Sequence, residues 1–158
     1  MRKVTWFTVQ MVFVIPTETY DQYSHIIVGY DEGYYSKLRA MLERATKLTF
    51  VEQVNEYIKK KGLRETAIYK AAQMDRRLFS KVMSDRTYKP SKDTALALAF
   101  SLHLTLEEAE DLLDRAGYSL SNSDKRDIVM GFFFKEKLYD LNKINYILSE
   151  LQMKCIGR

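Results

Sequence analysis

The chain opens on a dense apolar run and then settles into helical spacing. Residues 3–15, Lys-Val-Thr-Trp-Phe-Thr-Val-Gln-Met-Val-Phe-Val-Ile, are rich in β-branched and aromatic types and predict a strand. Pro16 ends it, and a polar turn follows through Thr17, Glu18 and Asp21. Residues 23–30 read as a second strand, closed by Asp31-Glu32-Gly33. The two strands suit a hairpin. A lone hairpin is marginal in water, so it must pack on helices or on a second copy of the chain. From Ser36 to Ala45 the spacing turns helical, with Leu38, Met41, Leu42 and Ala45 on one face.

Thr49-Phe50-Val51-Glu52 is a capping box, in which Thr49 accepts from the Glu52 amide and Glu52 reaches back. The helix it opens turns Phe50, Val51, Val54, Tyr57 and Ile58 inward and stops at Gly62. A short helix from about Arg64 to Ala72 follows, then the turn Gln73-Met74-Asp75, with Asp75 a good N-cap for a helix over 76–84. A polar loop from Asp85 to Lys89 leads to Pro90. Ser91 caps a helix through Leu102. Thr105 and Glu108 form a second capping box for a helix ending at Gly117. Ser121 or Ser123 opens a helix to about Lys137, and Asp140 caps the last one, through Leu151.

Composition adds a compartment and a polarity. The single cysteine, Cys155, excludes an internal disulfide framework and points to a reducing compartment, the cytoplasm. It reads as a small apolar residue beside the last helix. The apolar run near the start is interrupted by Thr5, Thr8 and Gln10, lacks a cleavage site, and falls short of the roughly 20 residues a spanning helix needs. No membrane association is expected. The net charge of +4 is unevenly spread. Residues 44–92 hold 13 Lys/Arg against 5 Asp/Glu, and residues 93–124 hold 1 against 7. A basic half beside an acidic half can orient a molecule in the field of a polyanion, although solvated helix faces would give the same count.

Catalytic constellations are not apparent. Neither His25 nor His103 lies at a metal-ligand spacing from another His, Cys or carboxylate, and no phosphate-cradling glycine loop occurs. Glu107, Glu108, Glu110, Asp111 and Asp114 form the wet face of a helix that turns Leu106, Ala109, Leu112, Leu113 and Ala116 inward. Tyr20, Tyr23, Tyr30, Tyr34 and Tyr35 suit hairpin packing or a dimer contact better than base stacking. The chain is read as a non-enzyme without cofactor or metal.

The segment that carries chemistry is Ile68 to Val82. Ile68 and Ala72 face the core from one short helix, Met74 plugs the turn, and Phe79 and Val82 face inward from the next. At about 100° per residue, Arg77, Ser80, Lys81 and Ser84 then share the outer face, with Arg76 in the first turn. An acid-free stripe of Arg, Ser and Lys is what a major-groove helix needs. Arg86, Lys89 and Lys92 follow, placed to hold the DNA backbone.

Together with the run Tyr88-Lys89-Pro90-Ser91-Lys92-Asp93-Thr94-Ala95-Leu96-Ala97-Leu98-Ala99 and the helix start Leu104-Thr105-Leu106-Glu107-Glu108-Ala109, the stretch from Thr49 to Gly117 resembles the lambda-repressor-like, Cro/repressor class of helix-turn-helix domain. The segments Arg77-Leu78-Phe79-Ser80-Lys81 and Ala116-Gly117-Tyr118-Ser119-Leu120-Ser121 also resemble a helical module of bacterial proteins, some of which carry a macro domain upstream. About 45 residues precede the helical part, too few for a macro domain, so no ADP-ribose chemistry is carried over. Tyr69 stands where the repressor class usually has Ala, Gln73 replaces the turn glycine, and residues 85–89 lack the usual loop glycine.

The resulting expectation is a mainly α fold: a five-helix repressor-like helix-turn-helix bundle with extra C-terminal helices and a small N-terminal β-hairpin. Its parts are 1–46 (hairpin plus helix), 47–120 (helix-turn-helix domain) and 121–158 (helical extension). The expected function is sequence-specific or accessory binding of double-stranded DNA as a bacterial transcription regulator. Arg76, Arg77, Ser80, Lys81, Ser84, Arg86, Lys89 and Lys92 are the DNA-binding set, and the N-terminal strands are the homodimer element. The alternative is a protein-interaction module of a bacterial stress or defence system, with a protein partner and no DNA.

Overall fold

The computed structural model describes residues 32–44 and 48–157, which form eight helices and no strand. The strands expected at 3–15 and 23–30, and the dimer contact assigned to them, lie outside the described residues. By its internal contacts the chain divides into two units, Met1–Thr46 and Lys47–Arg158. In the first unit, helix α1 spans Glu32–Arg44. It starts earlier than expected, because Glu32 and Gly33 continue the helix and do not form a closing turn. Leu38, Met41 and Leu42, grouped on one face, are exposed.

The second unit holds α2 (Phe50–Lys61), α3 (Glu65–Ala71), α4 (Arg76–Ser84), α5 (Lys92–Ser101), α6 (Leu106–Arg115), α7 (Lys125–Lys135) and α8 (Leu141–Glu150). Side-chain caps start all but α3. Thr49 and Thr105 form the two expected capping boxes, and Asp75, Ser91 and Asp140 cap α4, α5 and α8. The start of α7 differs from expectation. Asp124 caps it, accepting from the Asp127 amide at 2.9 Å. Ser121 and Ser123 instead bond to each other in the turn before it, at 2.8 Å.

One device ends six of these seven helices. The residue past the helix turns left-handed, its amide bonds back to a carbonyl three residues earlier, and the next amide reaches five residues back. The left-handed residues are Gly62, Gln73, His103, Gly117, Lys137 and Gln152. Each is followed by an apolar side chain, in order Leu63, Met74, Leu104, Tyr118, Leu138 and Met153, and each of these packs in or against the core. Glycine adopts this conformation freely, so Gly62 and Gly117 are natural stops. The other four bear a Cβ and carry a strain of about 1–2 kcal/mol each.

The core centres on α5. Ala95 to Phe100 are all buried, so α5 is apolar on every side and is enclosed by its neighbours. It packs on α3 and α6, and α6 packs on α2 and α7. The C-terminal helices share this core: Phe134 of α7 stacks flat on Phe100 of α5, ring centres 4.0 Å apart. Polar clasps bind them as well. Lys92 donates to Asp127 at 2.6 Å, while Asp93 takes Arg126 at 2.8 Å and Lys154 at 2.7 Å. Past α8 the tail folds back. Buried Asn145 donates to the Ile156 carbonyl at 3.1 Å and accepts its amide at 2.8 Å, seating a fully buried Ile156 side chain. Cys155 lies beside α8 as expected, half-buried, its thiol toward the Asn145 carbonyl at 3.6 Å.

Candidate nucleic-acid interface

The outer face of α4 is built by its inner face. Phe79 and Val82 are 2% and 0% exposed, and they fix the rotation of the helix. Ile68 and Ala72 of α3 are buried beside them, and the small Ala72 suits close approach of the two helices. Tyr69, large where the repressor class usually has Ala, is half-buried with its ring 5.9 Å from that of Phe79. Met74 packs against the core under the turn. Gln73 sits at φ 53°, the conformation the usual turn glycine would take, and its amide donates to Asn142 at 2.8 Å. The side chains of α3 and α4 thus point as the apolar spacing dictates.

With that rotation, Arg76, Arg77, Ser80, Lys81 and Ser84 are all exposed. No acid lies within α4. Among the described residues, Arg76, Arg77, Lys81 and Lys89 form no ion pair. Asp75, the nearest acid, is occupied: its Oδ1 accepts the Arg77 amide at 2.5 Å. Ser84 donates to the Lys81 carbonyl at 3.0 Å, which commits its proton to the last turn of the helix. A donor face without competing carboxylates is suited to anionic or acceptor-rich partners.

Two of the eight assigned residues form ion pairs within the fold. Arg86 is paired with Glu52 of α2 while its side chain stays largely exposed. Glu52 also accepts the Thr49 amide at 2.9 Å. That bond first, and Arg86 second, hold the Glu52 carboxyl below the usual carboxylate range. Lys92 is half-buried and committed to Asp127. This pair ties α5 to α7. Neither partner was visible from local spacing, because each lies more than thirty residues away in sequence.

No family model, curated protein or solved structure matches the chain.

Among the described residues, no group of three or more His, Cys, Asp or Glu could hold a metal ion. No described helix is long and apolar enough to cross a membrane. His103 is exposed at a left-handed position and stacks on Tyr139, ring centres 4.6 Å apart. On α6, Glu108 is spent on its capping box and lies 3.7 Å from Lys61, and Asp111 is paired with Arg115 at 2.8 Å.

Proposed function

We propose that this chain binds double-stranded DNA, with α2 to α6 acting as a repressor-like helix-turn-helix domain and α4 as the helix that enters the major groove. Its role is that of a bacterial transcription regulator or DNA-binding accessory protein. The observation that supports this reading is the outer face of α4: three cations without ion pairs among the described residues, two serines and no acid, on a helix whose rotation is set by Phe79 and Val82. Arg76, Arg77, Ser80 and Lys81 approach base edges or phosphates, and Lys89 and Arg86 hold the backbone from the following loop.

The test is a titration of duplex DNA against the full chain at several salt concentrations. Arg77→Ala and Lys81→Ala together should weaken binding and flatten its salt dependence, by about 0.9 in log–log slope for each phosphate contact removed. Far-UV circular dichroism should show the double variant folded, since surface substitutions stay within about 0.5 kcal/mol of neutral. Phe79→Ala is the contrasting control, costing about 3–5 kcal/mol of stability. A folded double variant that binds as tightly as the parent at every salt would reduce the stripe to a solvated face. The protein-interaction reading would then lead, on a specific observation: Ile128 and Phe132 of α7 are 50% and 57% exposed, one turn apart on the same face.

A further inference from the structure

We infer that the α4 face reads guanine, and that the preferred duplex carries two guanines about two base pairs apart. This rests on the DNA-binding reading and adds to it the class of base recognised.

The argument is one of donors and acceptors. Arg76, Arg77 and Lys81 can only donate. Residues 76–84 contain no Asn, Gln, Asp or Glu. The nearby side chains that carry acceptors each make a local bond. Asp75 takes the Arg77 amide, and Asp85 takes the Thr87 amide at 2.8 Å and the Thr87 hydroxyl at 2.7 Å. Glu52 takes the Thr49 amide and Arg86, and the Gln73 side-chain NH2 donates to Asn142. Ser80 and Ser84 keep hydroxyl oxygens that can also accept, and Ser84 directs its proton to the Lys81 carbonyl.

In the major groove an adenine edge pairs an acceptor with a donor and suits an amide side chain. Cytosine presents a donor and needs a carboxylate, and thymine offers one acceptor beside a methyl group. Guanine alone presents two adjacent acceptors, N7 and O6, which match the fork of a guanidinium. Phosphates also accept, but they confer no base preference. The cations of this face, which only donate, therefore discriminate through guanine. Arg77 and Lys81 stand one turn apart, about 6 Å along the helix axis. At about 3.4 Å per base pair, that span covers roughly two base pairs.

The test selects tight binders from random duplexes with the full chain and sequences them. Two guanines about two base pairs apart, on either strand, should be enriched. Replacing either with 7-deazaguanine, which removes the N7 acceptor, should weaken binding by about 5- to 100-fold. Arg77→Gln should move the preference at one of the two pairs from guanine to adenine, a change that loss of stability cannot produce. Selected duplexes without a guanine preference, or 7-deazaguanine duplexes that bind as tightly as their parents, would overturn the inference and leave DNA binding standing. If no duplex is bound at any salt, both readings fall.

Discussion

Replacing Lys92 with alanine should destabilise the protein and leave the salt dependence of the proposed DNA binding unchanged. Lys92 donates to Asp127 at 2.6 Å, and the two side chains are 27% and 6% exposed. Exposed ion pairs contribute about 0.2–1 kcal/mol, whereas stripping the partner from a buried charge costs about 3–5 kcal/mol. Two features place this pair between those limits. Asp127 keeps the Ser121 amide at 2.9 Å, and the open side of Lys92 admits water. A loss of about 2 kcal/mol follows. Urea unfolding followed by far-UV circular dichroism measures it, and a cycle with Asp127→Ala isolates the pair, with an expected coupling of about 1.5 kcal/mol. Lys89→Ala, by contrast, should leave stability alone and flatten the salt slope by about 0.9. A coupling under about 0.5 kcal/mol, with a salt slope that drops in Lys92→Ala as it does in Lys89→Ala, would refute the structural role and return Lys92 to the DNA contact set.

Other outcomes follow from particular contacts. Asn145→Ala strips both partners from the Ile156 backbone and should cost about 2–3 kcal/mol by urea unfolding, a loss capped at what the docked tail contributes. Lys137→Gly should raise stability by about 1 kcal/mol by relieving a left-handed residue, whereas His103→Gly should gain less because it forfeits the stack on Tyr139. Glu52 and Asp93 should make the fold acid-sensitive. The Thr49 amide and Arg86 depress the Glu52 carboxyl; burial alone would raise that of Asp93, but Lys154 and Arg126 outweigh it and hold it low. Depressed carboxyls stabilise the fold above their unfolded values near pH 4 and lose that contribution as pH falls through their folded values. The midpoint of acid unfolding should therefore shift upward in Arg126→Ala.

Legibility followed distance along the chain. The capping boxes at Thr49 and Thr105 span three residues, so spacing alone revealed them. The rotation of α4 followed from Phe79 and Val82, and the exposure of Arg77, Ser80, Lys81 and Ser84 came with it. Pairings across the fold left no such mark. Arg86 with Glu52, Lys92 with Asp127 and Asn145 with Ile156 depend on which helices meet, and periodicity does not contain that information. The cap at Asp124 was hidden differently, because two serines of equal capping propensity stood just before it. Gln73, His103, Lys137 and Gln152 gave no signal as helix stops, since none is glycine. The apolar residue after each one was the available clue.

The recurrent helix ending has one exception. α4 finishes at Asp85 in extended backbone, with φ −115° and ψ 108°, and no left-handed residue folds the chain back over its final carbonyls. The other helices of the unit have their lengths locked by a local stop that is also anchored in the core. α4 instead closes on its own last turn, where Ser84 donates to the Lys81 carbonyl at 3.0 Å and Val82 is buried. Its register is held from the Asp75 end, where the cap and the buried Phe79 lie close together. With Phe79 and Val82 both buried, the inner face is held over the length of the helix, and the outer side chains are presented at a fixed spacing.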